Sequence, residues 1–285
     1  MIDEIIEKAN SNNSYDKESY KKRKREQLDN AYQMIDDALE ELKTNQSFFN
    51  EYLKVQSKFD MYSPRNALLI AKQLPGAIQL KSKKDWLDLK ASFKSPKQNR
   101  ITIIEPGESY TNKDGKKVTP IYAKDVIDIS ETNMKPTTRS YDKKLLLQSL
   151  FHECPIAIKA VDSLDSGKKC EWNQNDKAIY ICRSNNYDES IKAISTEIAK
   201  INLYENTNEL DDDKASLISY MICQKYGIES SAEGINNLAS KFSKMENVEI
   251  ANELTSMKEV ALDINTRIGQ YLDNKRETKN KEQER

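Results

Sequence analysis

The chain has 285 residues, enough for two ordinary domains, and 32% of them are charged although the net charge is only −1. This dense mixture of both signs, with 37% hydrophobic residues and seven glycines, favours long solvated helices and argues against a turn-rich all-β fold. The sequence contains no run close to the roughly 20 apolar residues that cross a membrane, and its acidic start is not a signal peptide. We therefore expect a cytoplasmic protein without a membrane partner.

The histidine and cysteine content excludes most imidazole and zinc chemistry. His152 is the only histidine, and it lies in the string Phe-His-Glu-Cys-Pro over 151–155, which starts like a helical zinc motif. The second histidine of such a motif is replaced by Ile156, and Pro155 interrupts the helix. We interpret His152 as an incidental residue, and we predict no metal and no cofactor. No CxxC pair occurs among the cysteines, which we expect to be reduced thiols: Cys154, Cys170, Cys182 and Cys223.

The first 74 residues are predicted to be mainly helical. Apolar residues at three-to-four spacing predict one buried stripe on a helix over 14–43; they are Leu28, Tyr32, Ile35, Leu39 and Leu42. The block Lys21–Arg25 (KKRKR) on this helix is interpreted as a solvated face, with a phosphate-binding patch as the alternative. A second helical stretch is broken before Pro64, where Ser63 is typical of an N-cap.

Residues 82–139 predict a short helix, a small sheet and a linker. The helix over 82–89 carries Trp86, and strands are predicted over 101–106 and between 118 and 129, with a hairpin-type turn at 112–116. The segment 134–139 is typical of a linker, which places the end of the first domain at about residue 133.

The second half predicts a helical domain with a short sheet. A helix over 143–151 and strands over 156–161 and 178–182 precede four helices, over 189–203, 213–226, 232–241 and 248–272. The tail over 273–285 has almost no apolar residue and is predicted to be disordered. The predicted fold class is α+β, with a helix-rich basic domain over 1–133 and a helical domain with a short sheet over 134–272.

Local charge is the strongest functional signal. Between Lys54 and Lys124 the chain has 15 Lys or Arg against six Asp or Glu, so the remainder is acidic. A basic domain within a near-neutral chain is typical of proteins that bind a phosphate backbone. Aromatic residues are interleaved with these cations, and single-stranded bases stack on exposed aromatic rings. The alternative is that the rings belong to the core and the lysines only solubilise the domain.

A second signal lies on the helix that follows the second pair of predicted strands. A zincin-type peptidase has an HExxH helix at this place, but here Thr196 and Lys200 stand at the histidine positions and only Glu197 remains. Lys200 would repel a divalent cation, and a glutamate without a metal has no activated water. The alternative is an ordinary glutamate on an amphipathic helix.

The order of these pieces resembles the ArdC-type antirestriction proteins and the LtrC-like proteins of conjugative elements. The stretches that carry the resemblance are 59–70, 101–106 with 126–132, and 180–204 with 215–231. The resemblance implies an N-terminal single-stranded-DNA-binding domain followed by a zincin-like metallopeptidase domain. Its three metal-ligand positions fall on residues that do not bind zinc, so peptidase activity is not implied; these residues are Thr196, Lys200 and Ser216.

These observations lead to the prediction of a non-catalytic, single-stranded-DNA-binding accessory protein of a plasmid or another mobile genetic element, with a role in conjugation or antirestriction. The predicted phosphate contacts are Arg65, Lys81, Lys83, Lys84, Lys94, Lys97, Arg100, Lys116 and Lys117. The predicted stacking platforms are Tyr62, Trp86 and Tyr110. The vestigial peptidase site comprises Thr196, Glu197, Lys200 and Ser216.

Two other hypotheses remain open at this point. In the first, the protein is an interaction scaffold whose second domain docks a relaxase, a restriction enzyme or a coupling protein through the helix over 248–272 and the charged tail. In the second, it is an active hydrolase that uses Glu197.

Overall fold

A computed structural model describes residues 2–137, 140–152, 154, 156–164 and 167–283, with side chains described from residue 17 to residue 277 and at Ile2. The fold is α+β, as predicted. The helices are α1 (Ile2–Thr44), α2 (Gln46–Lys58), α3 (Pro64–Gln73), α4 (Lys83–Asp88), α5 (Lys143–His152), α6 (Tyr187–Thr207), α7 (Asp212–Tyr226), α8 (Ile235–Phe242) and α9 (Asn247–Gln283). The strands are β1 (Leu80–Lys81), β2 (Ile101–Pro106), β3 (Tyr110–Thr111), β4 (Lys117–Val118), β5 (Ile121–Asp128), β6 (Ala157–Val161), β7 (Cys170–Asn173) and β8 (Ala178–Cys182).

The chain divides into two compact units, one formed by residues 1–38 with 68–136 and the other by residues 39–67 with 137–285. The sequence-based division put all residues up to 133 in the first domain, whereas the structure groups 39–67 with the second unit. Packing explains this difference. Phe49 of α2 is fully buried and stacks on Phe242 of α8, with ring centroids 5.6 Å apart.

The first unit is built around a three-stranded antiparallel sheet in which β5 lies between β1 and β2. Alternation along β2 buries Ile101 and Ile103. Helix α1 is tied to the sheet by Gln27, whose amide donates to the Oγ1 of Thr102 at 3.3 Å and to the carboxylate of Asp125. The strands β3 and β4 form a separate two-stranded hairpin between β2 and β5 in the chain.

The carboxylate of Asp128 holds the loop before β1 in the first unit. It is buried and accepts hydrogen bonds from the backbone N–H groups of Ile78, Gln79 and Ser130 at 2.8 to 2.9 Å. Burial alone would raise the pKa of Asp128, but these N–H donors lower it below its ordinary value. The ionised carboxylate therefore fixes the place where β1 joins the sheet.

The second unit contains a mixed sheet with β8 in the centre, parallel to β6 and antiparallel to β7. Strand β7 is absent from the sequence prediction, which has no strand between those over 156–161 and 178–182. Helix α6 packs beside the sheet, and α5, α7 and α9 pack against α6.

Helix α9 uses its apolar stripe inside the second unit. The stripe is buried along its whole length and comprises Ile250, Leu254, Met257, Ala261, Ile264 and Ile268. The helix continues to Gln283, so most of the tail predicted to be disordered is helical in the structure. The helices among the described residues include none that is long and apolar enough to cross a membrane.

Candidate nucleic-acid interface and peptidase-like cleft

Three of the predicted phosphate contacts meet around one surface cleft of the first unit. Lys83, Lys97 and Arg100 line a cleft of about 530 Å³ together with Pro96, Gln98 and Asn99. Local hydrogen bonds position both sides of it. Ser82 caps α4 in a capping box with Asp85, which fixes the start of the helix at Lys83. On the other side, the Asn99 amide donates to the Glu131 carboxylate at 2.8 Å.

The cations of this cleft are weakly engaged by the protein itself. Arg100 contacts the Asp125 carboxylate at 3.4 Å, and its side chain remains 57% exposed. Lys83 Nζ lies 5.7 Å from the ring centre of Phe93. Lys97 is exposed, and within the described residues its ammonium has neither a hydrogen-bond partner nor an ion-pair partner. Exposed cations in this state are available to an anionic ligand at low desolvation cost.

The other predicted lysines near this cleft differ in how far they are engaged. Lys94 Nζ donates to the carbonyl oxygen of Ser130 at 2.7 Å, which ties the loop to the end of β5. Lys84 is exposed and Lys81 is half-buried on β1. Lys84 therefore extends the cationic surface along α4, whereas Lys94 also has a structural contact.

The β3–β4 hairpin presents three further predicted residues to solvent. Tyr110 is 55% exposed, and Lys116 and Lys117 are exposed as well. The turn is built by Asn112, whose Oδ1 accepts from the backbone N–H groups of Asp114 and Lys116 at 3.0 and 2.9 Å. The hairpin thus has an exposed aromatic ring in the same element as two exposed lysines. Proteins that bind single-stranded nucleic acids combine such rings and cations.

Two of the three predicted stacking platforms do not lie on the surface of the first unit. Trp86 is only 1% exposed, because its ring packs in the core with Ile127 and its indole N–H donates to the Ile127 carbonyl at 2.8 Å. It cannot stack on a base. Tyr62 is half-buried against Phe59, with ring centroids 5.8 Å apart, and it belongs with the exposed Arg65 to the second unit. The exposed predicted contacts near the cleft and the hairpin of the first unit therefore exclude Trp86, which is buried in that unit, and Tyr62 and Arg65, which belong to the second unit.

In the second unit, Glu197 is the buried centre of the peptidase-like region. It lies on α6 with 5% of its surface exposed. One carboxylate oxygen accepts from the backbone N–H of Trp172 on β7 at 3.0 Å, and the other accepts from Lys200 Nζ at 3.1 Å. The missed strand β7 is thus the partner that fixes Glu197. The strand has four residues, two of them apolar and two polar, and this length is too short for its alternation to give a strand signal in the sequence.

Lys200 is the counterion of the buried Glu197 carboxylate. Its ammonium lies between the Glu197 carboxylate and Asp212 Oδ1, 2.9 Å from the latter, and its side chain is 16% exposed. Burial alone would lower the pKa of Lys200, but the two carboxylates outweigh this effect and raise it. Lys200 therefore stays protonated at neutral pH as the permanent counterion of a buried carboxylate.

Two neighbouring clefts flank Glu197 and separate the predicted vestigial residues. Lys200 and Asp212 line one cleft of about 480 Å³. Thr196 and Ser216 line the other, of about 400 Å³. Glu197 borders both clefts. The other three predicted residues therefore line clefts that border the Glu197 side chain.

The donor chemistry of this region does not fit a divalent metal ion. A hydroxyl from Thr196, a hydroxyl from Ser216 and an ammonium from Lys200 stand at the ligand positions implied by the resemblance, and an ammonium repels a cation. Both Glu197 oxygens already accept hydrogen bonds. Elsewhere in the described part of the chain, His, Cys, Asp and Glu side chains form no group of three or more that is suited to a metal.

His152 and helix α9, which covers the predicted interaction helix, both make contacts within the protein. His152 ends α5, and its ring lies 5.1 Å from that of Tyr271. Glu153 and Pro155 of the zinc-like string lie outside the described residues. The apolar stripe of α9 is already buried within its own unit, so the described face of this helix that is left for a partner is polar apart from the exposed Val248.

Comparison with solved structures finds proteins of similar fold. Among solved structures, this chain is similar in fold to the Mn(II)-bound crystal structure of the antirestriction protein ArdC from the R388 plasmid. It matches with a TM-score of 0.52 and 10% identity, over 84% of this chain and 97% of that chain.

A second match is the metal-free structure of the same ArdC protein, with a TM-score of 0.48 and 12% identity over 73% of this chain and 86% of that chain. No protein-family model and no curated protein matches this chain by sequence. The match to the Mn(II)-bound structure, at 10% identity, shows similarity of fold alone, so the resemblance to ArdC-type proteins is confirmed for the fold.

Proposed function

We propose that this protein is a non-catalytic, single-stranded-DNA-binding accessory protein of a mobile genetic element, acting in antirestriction or conjugation. The observation that carries the proposal is the cleft where Lys83, Lys97 and Arg100 converge. Cations that the fold brings together, and leaves exposed, fit successive phosphates of a nucleic acid. The hairpin adds Tyr110 as a stacking platform for an unpaired base.

The similarity in fold supports the biological context of the proposal. The R388 protein is named an antirestriction protein and comes from a plasmid. A chain that shares this fold over most of its length is consistent with the same kind of element. A restriction-protection assay tests this part: expression in a restricting host should raise the yield of incoming unmodified plasmid, and an unchanged yield would argue against the antirestriction role.

The proposal that the second unit is non-catalytic rests on Lys200. Its ammonium is ion-paired with Glu197 at 3.1 Å, so this carboxylate is engaged by a cation of the chain itself, and the same ammonium would repel a divalent metal ion that could activate a water. We expect no stoichiometric binding when Mn²⁺ or Zn²⁺ is titrated into the protein at neutral pH. One tightly bound equivalent per chain, in a calorimetric titration, would overturn this part and reopen hydrolase chemistry.

Charge reversal at the cleft tests the DNA-binding proposal. We expect Lys83→Glu, Lys97→Glu and Arg100→Glu together to lower the affinity for a labelled oligo-dT on the order of 100-fold at low salt, because phosphate contacts dominate binding. Fluorescence anisotropy measures the effect. A matched control reverses three exposed lysines of the second unit, Lys144, Lys177 and Lys244, with the same change in net charge.

The control decides whether the cleft or the total charge matters. The proposal expects less than a threefold change in the control, while urea unfolding shows both variants folded. Equal losses in both variants, or no binding of the unaltered protein at low salt, would contradict it. Competition with double-stranded and forked DNA tests the strand preference, and a preference for duplex DNA would contradict the single-stranded assignment.

A further inference from the structure

A groove between α1 and β5 in the first unit has no part in the cleft or the hairpin described above. Its volume is about 570 Å³, within the range of small-ligand sites. The residues that line it are Tyr20, Lys21, Lys24, Arg25, Leu28, Ile121, Tyr122 and Ala123. Three of these belong to the KKRKR block, which the sequence pattern alone favours as a solvated face.

The helix that forms one wall of the groove is fixed to the sheet. Lys24 Nζ donates to Gln27 Oε1 at 2.9 Å and to the Ala123 carbonyl at 3.4 Å. The Gln27 amide in turn donates to Thr102 and to Asp125 on the sheet. Because these contacts hold α1 against β5, the groove is a built feature of the first unit.

The basic block is divided by the helical period into two faces. Lys21, Lys24 and Arg25 lie three and four residues apart and line the groove. Lys22 and Arg23 are exposed and do not line it. The α1 helix therefore aims one set of cations at the groove and another set away from it.

The groove combines an apolar floor with a cationic rim. Leu28 and Ile121 are half-buried and Ala123 is buried, whereas Tyr20 at the rim is 56% exposed. A polyanion whose units each carry a flat apolar ring fits both features, since the ring covers the floor and the phosphates meet the rim.

We propose that this groove binds an unpaired base of single-stranded DNA, with Lys21 and Arg25 on the adjoining phosphates. The inference rests on the proposed function and adds a second contact region to it. Tyr20 contributes a ring for stacking at the mouth of the groove, and Leu28 with Ile121 covers the buried face of the base.

The two faces of the basic block supply a matched test. The pair Lys21→Glu with Arg25→Glu should weaken oligo-dT binding about tenfold or more, because it removes two phosphate contacts. The pair Lys22→Glu with Arg23→Glu, with the same charge change on the same helix, should alter it less than threefold. Far-ultraviolet circular dichroism verifies that α1 remains helical in both.

Stacking at the rim is tested separately from charge. Tyr20→Ala should lower affinity about fivefold or more and Tyr20→Phe should leave it unchanged, because stacking needs the ring and not the hydroxyl. Oligo-dT with photoreactive 4-thiothymidine should crosslink to the peptide containing residues 20–28 in the unaltered protein.

The outcomes separate this inference from the proposed function. Equal losses in the two charge-reversed pairs, or crosslinks that exclude residues 20–28, would overturn the groove as a binding site. If the cleft variant with Lys83, Lys97 and Arg100 reversed still loses affinity in that case, the proposed function stands without the groove. Failure of the unaltered protein to bind oligo-dT would overturn both.

Discussion

Each unit of this protein contains a predicted site lysine, and the surroundings of the two ammonium groups are opposite. Lys97 in the first unit is exposed, and its ammonium has no partner in the described part of the chain. Lys200 in the second unit is 16% exposed and held between two carboxylates. A charge left in solvent is available to a ligand, whereas a charge buried against a carboxylate stabilises the fold. The comparison separates exposed cations, which we propose to contact DNA, from a cation that serves as an internal counterion.

The same distinction applies within the first unit. Asp128 is a buried anion in a basic unit, and backbone N–H groups satisfy it completely enough to lower its pKa. It therefore positions the sheet and, because it is 2% exposed, offers no oxygen that a ligand could contact. The charges of the first unit that a ligand can contact are those on exposed side chains such as Lys97.

The largest expected effect comes from exchanging the two lysines for methionine. Lys200→Met should lower the free energy of unfolding by about 3 kcal/mol, because it leaves the Glu197 carboxylate buried without a counterion, and it should leave oligo-dT affinity unchanged. Lys97→Met should change stability by less than about 0.5 kcal/mol and weaken DNA binding. Urea unfolding and anisotropy measure the two quantities.

A double substitution guards this prediction against a simple packing effect. Combining Glu197→Gln with Lys200→Met removes both charges, so it should cost less stability than Lys200→Met alone. A double variant at least as unstable as the single one would mean that Lys200 acts by packing and would remove the basis of the comparison.

A smaller effect is expected at Asp128. Asp128→Asn should cost about 2 kcal/mol at neutral pH, because hydrogen bonds to a charged acceptor are lost. Because the pKa of Asp128 is lower in the folded state than in the unfolded one, its stabilisation is present above about pH 4 and is lost as the pH falls through the folded value. The gap between the unaltered protein and the variant should therefore narrow in acid.

The control for this pH profile is an exposed carboxylate of the same unit. Asp88→Asn at the end of α4 changes the charge equally at an exposed position. It should leave stability nearly unchanged from pH 3 to pH 7. A gap for Asp128→Asn that widens below pH 4 would show that the carboxylate is not held in its ionised form.

The smallest expected effect distinguishes an exposed aromatic ring from a buried one. Tyr110→Ala should weaken oligo-dT binding by about 1 kcal/mol, the lower end of the range for stacking. Trp86→Phe should leave DNA affinity unchanged and cost about 1 kcal/mol of stability, because the hydrogen bond to Ile127 is lost. Loss of affinity in a folded Trp86→Phe variant would restore Trp86 as a contact residue.

Trp86 shows where the sequence stops being informative. Its helix has six residues, too short for a periodic pattern to indicate which side is buried. The cationic neighbours suggested a surface ring, although the tertiary contacts of Ile127 place it in the core. By contrast, the strand over 101–106 and the N-cap at Ser63 were predicted from local signals, and the structure has both: β2 spans Ile101–Pro106, and Ser63 Oγ accepts from the Asn66 N–H at 3.3 Å.

The division into units and strand β7 were beyond sequence patterns for related reasons. Helix α1 runs through residue 38 without a turn signal, so nothing in the sequence marks the change of unit there. Strand β7 has only four residues, and it is stabilised by pairing with β8 and by the contact of Trp172 with Glu197. Long-range contacts decide both features. The positions of Thr196, Glu197 and Lys200 were predictable because they follow the register of one helix.

The salt dependence of oligo-dT binding tests the central claim most directly. If the exposed cations of the first unit contact phosphates, the logarithm of the affinity should fall linearly with the logarithm of the salt concentration, with a slope of about −3 for four to five contacts on a single strand. The slope should become shallower in the variant reversed at Lys83, Lys97 and Arg100. Affinity that does not depend on salt, or an identical slope in that variant, would contradict the account.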